Sequence, residues 1–259
     1  MTDQGDISNN RVVTDSMLNA NNAALAGESM IVVGGAGTGK TQWIREITKS
    51  LTKLGREVLV VAPTGTAAIR ANGFTIHRAF GIGAKPGIEF EMNVSMTSQL
   101  NSVVGSIDTL IIDEISMVSA PMLDQIAMRL KATQQQRIAP SDQEFSKKFG
   151  NRQIILVGDP FQIKPVDKPP MILHLQENNY QSIWWFSAKS YDSKSLSHFE
   201  FRDHFRQDET EFLDHLSSLR HGKTSDQLYK FFKKRQTQND YLDAELGGIF
   251  LVAKKNSTR

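Results

Sequence analysis

Gly34-Gly35-Ala36-Gly37-Thr38-Gly39-Lys40-Thr41, directly after the apolar run Met30-Ile31-Val32-Val33, decides how this chain is read. A buried strand entering G-x-x-x-x-G-K-T, with helix-forming residues beyond it, is a phosphate-binding loop in its proper context. The glycines allow backbone N–H groups to turn inward around a polyphosphate. Lys40 can then reach the β- and γ-phosphates, and the Thr41 hydroxyl can ligate Mg²⁺. Gly35, Ala36, Gly37, Thr38, Gly39, Lys40 and Thr41 are therefore the candidate nucleotide-binding residues. The alternative is a glycine-rich turn without a ligand, but the complete motif and its flanks argue for a bound nucleoside triphosphate.

Outward from this loop the chain alternates between two periodicities. Asp15 to Ala26 reads as a helix stopped by Gly27, and Thr41–Leu54 as another ending near Gly55. Val58–Ala62, Ile107–Ile112 and Gln153–Val157 read as further strands, and Pro121–Lys131 as a helix with proline in its first turn. Strands alternating with helices predict an α/β fold with a largely parallel sheet. Two polar stretches, Lys85–Gln99 and Gln134–Asn151, are expected to be surface excursions. Past Val166 the pattern turns loop-rich, then helical from about Asp208 to Arg220 and from Ser225 to Arg235. Gly248-Ile249-Phe250-Leu251-Val252 reads as the opening strand of a further domain.

Composition bounds the partners. The 259 residues suit one large α/β domain with additions, and 39% apolar with 22% charged residues is ordinary for a globule. Thirty Lys+Arg against 28 Asp+Glu leave +2, so nucleic-acid binding would need a local patch and not a global excess. With no cysteine there is no disulfide, thiolate metal site or cysteine nucleophile. No apolar run reaches the length of a membrane span, and Met1 to Asn10 is unlike a secretory or transit peptide. No membrane association and an intracellular location, in cytoplasm, nucleoid or nucleus, are expected.

Ile111-Ile112-Asp113-Glu114 is an apolar strand ending in two acids. Hydrolysis of a Mg²⁺-bound triphosphate needs one carboxylate for the metal and a second to orient and deprotonate water. Asp113 is assigned to Mg²⁺ and Glu114 to the water; standing alone, such a pair would read as a solvated turn. In Leu156-Val157-Gly158-Asp159-Pro160-Phe161-Gln162, Gln162 can contact the γ-phosphate or the lytic water, though the segment by itself reads as a turn. Val61-Ala62-Pro63-Thr64-Gly65-Thr66-Ala67-Ala68 offers small residues, hydroxyls and a helix N-terminus to a nucleic-acid phosphate. Phe74-Thr75-Ile76-His77-Arg78-Ala79-Phe80 mixes aromatic, basic and hydroxyl groups as a single-strand track does. Each of these residues separately is as consistent with core or cap.

Taken in order, GGAGTGKT (34–41), APTGTAA (62–68), FTIHRAFGIG (74–83), IIDEISM (111–117), VGDPFQIKPV (157–166) and FRQDETEFLDHLSSLRHGK (205–223) resemble superfamily 1 helicases of the 5′-to-3′ branch. Phe161 to Val166, Phe205-Arg206-Gln207, Phe212, Leu216 and Arg220-His221-Gly222 make the chain most similar to the petite-integration-frequency (PIF-type) helicases, ahead of RecD-like proteins. The resemblance implies a RecA-like first motor domain, ATP hydrolysis with Mg²⁺, and translocation along single-stranded DNA by a monomer. It implies the roles already given to Lys40, Thr41, Asp113, Glu114 and Gln162, and adds Arg206 as an arginine that reaches the γ-phosphate. Pro63, Thr64, Thr66, Thr75 and His77 match positions lining the DNA path. The implied division is a tail (1–14), a RecA-like domain with insertions (15–223), and a linker helix with the start of a second motor domain (224–259).

Two features depart from the family pattern. Met17 stands where such helicases carry an adenine-reading glutamine, with Asn21 or Asn22 as possible substitutes. The later motifs of a second motor domain are absent, so the chain should hold one wall of the ATP site. Trp184-Trp185-Phe186 is read as packing, Lys230 to Arg235 as a helix with one apolar and one basic face, and the six histidines as having no metal-ligand spacing. Two rival functions stay open: a phosphate-loop ATPase that remodels RNA or protein, and a nucleotide-dependent binding module without turnover.

Overall fold

The computed structural model describes residues 14–82, 98–133, 143–166, 169–203, 210–220 and 222–234. In chain order the elements are α1 (Asp15–Ala26), β1 (Met30–Gly34), α2 (Lys40–Lys53), β2 (Val58–Ala62), α3 (Gly65–Arg70), β3 (Phe74–Thr75) and α4 (Ile76–Phe80). They continue with α5 (Ser98–Ser106), β4 (Thr109–Ile112), α6 (Ala120–Ala132), α7 (Glu144–Lys148) and β5 (Gln153–Gly158). Last come α8 (Pro169–Glu177), β6 (Ser197–Phe201), α9 (Thr210–Arg220) and α10 (Asp226–Lys234). The chain divides into two compact units, Met1–His221 and Gly222–Arg259. Within the second, α10 buries Leu228 and Phe231 and exposes Lys230, Lys233 and Lys234, the two-faced pattern expected of it.

Six strands form one sheet in the order β3-β2-β4-β5-β1-β6, and every neighbouring pair is parallel. Side chains alternate between its faces. Ile31, Leu59, Val61, Leu110, Ile112, Ile154 and Leu156 enter one cluster, which Ile76, Phe80, Leu123, Ile126 and Leu130 cover. Met30, Val32, Val60, Ile111, Ile155 and Val157 enter the other, under Ala20, Ala24, Trp43, Ile44, Ile47 and Leu51. Burial on both faces is why these strands read as unbroken apolar runs. Local chemistry sets the helix starts: the hydroxyls of Thr14, Thr64, Thr75 and Ser119 each accept a backbone N–H of the helix they cap.

The edge where the strands begin is held by buried structural groups. Arg152 donates to the carbonyls of Leu130, Gly150, Val104, Gly105 and Thr133. Gln153 reaches the carbonyls of Ala24 and Glu28. Both side chains are thereby committed to holding connections together.

Two sequence expectations need correction. The described part of Gln134–Asn151 is core, not a surface excursion: Phe145 and Phe149 on and just after α7 are fully buried and meet ring to ring at 4.8 Å. Two aromatics among lysines and serines were outweighed by their polar neighbours. The loop-rich reading past Val166 also missed α8 and β6. The β6 strand pairs with β1 along its whole length and, among the described residues, no strand pairs with its other side, so its sequence Ser197-His198-Phe199-Glu200-Phe201 mixes polar with apolar residues. Because Phe149 packs against the sheet, Phe149→Ala is expected to lower unfolding stability by about 3–5 kcal/mol in a denaturant titration. A loss below about 1 kcal/mol would return the segment to the surface.

Candidate active site

Parallel pairing brings every strand's C-terminal end to one edge of the sheet, and register decides who meets there. Val33 lies beside Gly158, Gly34 beside Phe201, Val61 beside Ile112, and Ala62 beside Thr75. The segments following these strands are the phosphate loop, the Asp159–Gln162 turn, the Asp113-Glu114 pair and the threonine-rich segments. Ligand sites of open α/β sheets form at this edge.

The phosphate loop is tightly built. Gly37 and Gly39 both hold φ 80°, the left-handed region that favours glycine. A Cβ on Gly34 would lie 2.7 Å from both the Phe201 carbonyl oxygen and Thr38 Oγ1. Thr38 is buried, and its hydroxyl donates to the Gly35 carbonyl at 2.9 Å. The Lys40 ammonium turns back and donates to the carbonyls of Gly34 (2.8 Å) and Gly35 (2.7 Å). Burial lowers its pKa, while the nearby charges of Asp159, Glu114 and Asp113 oppose that shift and Arg220 adds to it. Lysine, three carboxylates and one arginine therefore share a single electrostatic neighbourhood.

Asp113 is almost fully buried, and its Oδ1 accepts the Glu114 N–H at 2.9 Å. Burial first, then the charge of Glu114, pushes its carboxyl up to about 6, against the pull of that hydrogen bond, Lys40 and Arg70. Glu114 holds φ 53°, a left-handed conformation that costs a non-glycine residue on the order of 1 kcal/mol. Gly158 packs beneath this turn, where a Cβ would meet the Ile115 nitrogen at 2.9 Å. The side chain of Glu114 lies 3.8 Å from the Arg70 guanidinium. Arg70 ends α3, and its own carbonyl accepts the Arg45 Nε–H of α2 at 2.8 Å.

A magnesium ion fits the donors at this edge. Thr41 offers a hydroxyl, and Asp113 a carboxyl whose burial disfavours the anion until a cation arrives. No group of three or more His, Cys, Asp or Glu among the described residues could hold a metal.

The nucleic-acid candidates lie at the β2–β3 side of the same edge. Thr64 and Thr75 spend an oxygen lone pair on caps, accepting from Ala67 N (3.2 Å) and Arg78 N (3.3 Å). Each hydroxyl proton remains able to donate to a phosphate. Thr66 is exposed, Pro63 and His77 are half-buried, and the Arg78 guanidinium sits 5.4 Å from the Phe74 ring centroid.

Gln162 is exposed, with its backbone N–H donating to the Asp159 carbonyl at 3.0 Å. Arg206 lies outside the described residues, as does the strand expected at 248–252. Met17, on α1, packs against the core, and the Asn21 side-chain Oδ1 accepts the Trp43 indole N–H at 2.7 Å, leaving Asn22 the exposed one of the two asparagines. Of Trp184-Trp185-Phe186, read as packing, Trp185 is buried against Tyr191, whereas Phe186 is exposed. Sequence reasoning missed Arg70, Asp159 and Arg220. Asp159 was taken for a turn former, and Arg220 was noticed only as part of a motif. Nothing near Arg70 marked it. No helix among the described residues is long and apolar enough to cross a membrane.

The folded protein keeps the Asp113 proton up to about pH 6, whereas an unfolded chain releases it near 3.8. Folding thus takes up a proton between those values, and stability falls as pH rises through that window. Asp113→Asn is expected to stabilise the metal-free protein above pH 6 by at most about 3 kcal/mol, an advantage that shrinks through the window and vanishes below it. Calorimetry across pH 4 to 8 measures it, and a pH-independent difference would contradict the buried, proton-holding carboxyl.

Comparison with known proteins identifies the architecture. Residues 7–230 match the PIF1-like helicase family. The chain is 32% identical over 242 residues to ATP-dependent DNA helicase PIF1 of Saccharomyces cerevisiae, covering 90% of this chain and 26% of that protein. It is 30% identical over 221 residues to ATP-dependent DNA helicase Pif1 of Bdellovibrio bacteriovorus, covering 83% of this chain and 45% of that one. The chain thus spans less than half the length of these relatives. The crystal structure of Pif1 helicase from Bacteroides in complex with ADP-AlF3 and single-stranded DNA superimposes with a TM-score of 0.73 at 28% identity, over 90% of this chain and 53% of that one. The sheet is accordingly the RecA-like one that the helicase resemblance implied. The chain belongs to the PIF1-like helicase family.

Proposed function

We propose that this chain forms the first motor domain of an ATP-dependent DNA helicase that moves 5′ to 3′ along single-stranded DNA, with one copy as the translocating unit. The observation that carries the proposal is the strand register, which leaves Lys40, Asp113, Glu114 and Asp159 in segments that follow neighbouring strands at one edge of the sheet. A lysine held on two carbonyls of its own loop is poised to exchange them for phosphate oxygens. Glu114, beside the metal-suited Asp113, accepts the proton of the water that attacks the γ-phosphorus, while the bond to the β-phosphate oxygen breaks. Bound magnesium would neutralise the charge that develops on the phosphate oxygens. Gln162 and Arg206 are assigned to the γ-phosphate on family resemblance.

The register of the sheet supports a link between nucleotide and DNA. Pro63, Thr64 and Thr66 follow β2, Thr75 ends β3 with His77 just beyond it, and β4, which the acids follow, pairs with β2. The Arg70–Glu114 contact joins the end of α3 to the proposed water-activating carboxylate. DNA settling on the N-terminus of α3 would thus be felt at Glu114 through one short helix. The relatives named above are DNA helicases, and the Bacteroides structure holds both ADP-AlF3 and single-stranded DNA.

Steady-state ATP hydrolysis in the whole protein, with single-stranded DNA, with RNA and with neither, tests the proposal. Stimulation by DNA supports it; stimulation by RNA alone would favour a remodelling ATPase, and binding without turnover a nucleotide-dependent module. Lys40→Ala and Glu114→Gln are each expected to reduce turnover at least about 100-fold. Glu114→Gln is expected to keep its ATP affinity, read by equilibrium binding. Sustained hydrolysis in Glu114→Gln would remove that residue from the water-activating role.

A further inference from the structure

Asp159 is the carboxylate that the phosphate-sensing turn is built on. Its Oδ1 accepts the Phe161 N–H at 3.1 Å, and its carbonyl accepts the Gln162 N–H at 3.0 Å. The side chain is buried, and a buried carboxylate needs a partner to remain charged. Arg220, the last residue of α9, supplies one: its Nε–H donates to the same Oδ1 at 3.0 Å, with side-chain exposures of 17% for the arginine and 4% for the aspartate. The guanidinium carbon also lies 5.1 Å from the Phe161 ring centroid. Phe161 is 64% exposed, and the guanidinium gives its ring a cation–π contact.

A planar guanidinium can bond a carboxylate with one edge and lie over an aromatic ring with its face, which an ammonium cannot do. Arg220 therefore grips the turn at two points, Asp159 and Phe161, immediately before Gln162. We propose that Arg220 is a positioning residue whose clamp on Asp159 and Phe161 holds this turn so that Gln162 is presented to the γ-phosphoryl group. The catalytic part of this inference rests on the nucleotide-hydrolysis reading above; the clamp itself does not. Arg220 acts through the turn, and it is the chain's physical link between phosphate sensing and α9.

Amide hydrogen exchange at Phe161 and Gln162 without nucleotide tests the clamp directly. Arg220→Gln is expected to speed exchange at these two amides about tenfold or more while the β5 amides keep their protection. Arg220→Lys, which retains the charge and serves if the glutamine variant folds poorly, is expected to fall between the two. Unchanged exchange in both variants would overturn the clamp. In the whole protein, Arg220→Gln should lower kcat about tenfold or more with little change in the KM for ATP. Combining it with Asp159→Asn should add little, because both changes break one linkage. Additive losses, or a raised KM with kcat retained, would assign Arg220 to direct phosphate contact and overturn the positioning role. A wild-type protein that hydrolyses no nucleoside triphosphate would refute the functional reading, while the exchange result would still decide the clamp.

Discussion

Parallel strand pairing is the constraint on which everything else in this molecule depends. Because all six strands run the same way, each C-terminal end delivers its following loop to a single edge. The strand order then spaces those loops: threonine-rich segments at β3 and β2, the acids at β4, the sensing turn at β5, and the phosphate loop at β1. The proposed DNA track and the proposed nucleotide site are thereby set at neighbouring positions of one edge, with β4 between them. The opposite edge shows the contrast. Its buried arginine and glutamine, Arg152 and Gln153, are bonded to backbone carbonyls and hold the ends of the layers together.

Electrostatics at the productive edge describe a site prepared for an anionic, metal-bearing ligand. Lys40 is desolvated yet ringed by three carboxylates, and it satisfies its protons on two carbonyls. Asp113 is desolvated beside Glu114 and holds its proton toward neutral pH. Neither group is at ease, and a metal–triphosphate complex would relieve both: phosphate oxygens would take the ammonium, and a cation would take the carboxylate. The left-handed backbone at Glu114 stores strain at the same point. Asp159 differs from the other two acids because Arg220 pairs with it closely in a buried setting, whereas Glu114 meets only the exposed Arg70 at 3.8 Å. One carboxylate is thus fixed as scaffold while two remain available for chemistry.

Much of this was legible in the sequence, and what was not has physical reasons. Met30 to Thr41 announces strand, loop and helix because each level agrees with the next: apolar run, glycines, then an amphipathic helix. Val58–Ala62, Thr109–Ile112 and Gln153–Gly158 are visible because burial on both faces forces continuous apolar runs. Strand β6 escaped notice because, among the described residues, only one of its sides is paired, so serine, histidine and glutamate are tolerated. The segment with Phe145 and Phe149 was hidden because two rings among charged neighbours carry the burial. At the site, Lys40, Asp113 and Glu114 sit in motifs whose spacing encodes their chemistry. Arg70 and Arg220 do not, since each gains meaning only from a residue 44 or 61 positions away in the chain. Long-range ion pairs leave no local pattern.

The central claim is that Lys40, Asp113 and Glu114 surround one metal-chelated γ-phosphoryl group. A crystal structure of the protein with magnesium and a non-hydrolysable ATP analogue examines it most directly. The account predicts that the Lys40 ammonium leaves the carbonyls of Gly34 and Gly35 for the β- and γ-phosphates, with the metal on the Asp113 side and the γ-phosphate facing Glu114. A nucleotide seated elsewhere, or a lysine still bonded to its own loop with phosphates bound, would contradict it.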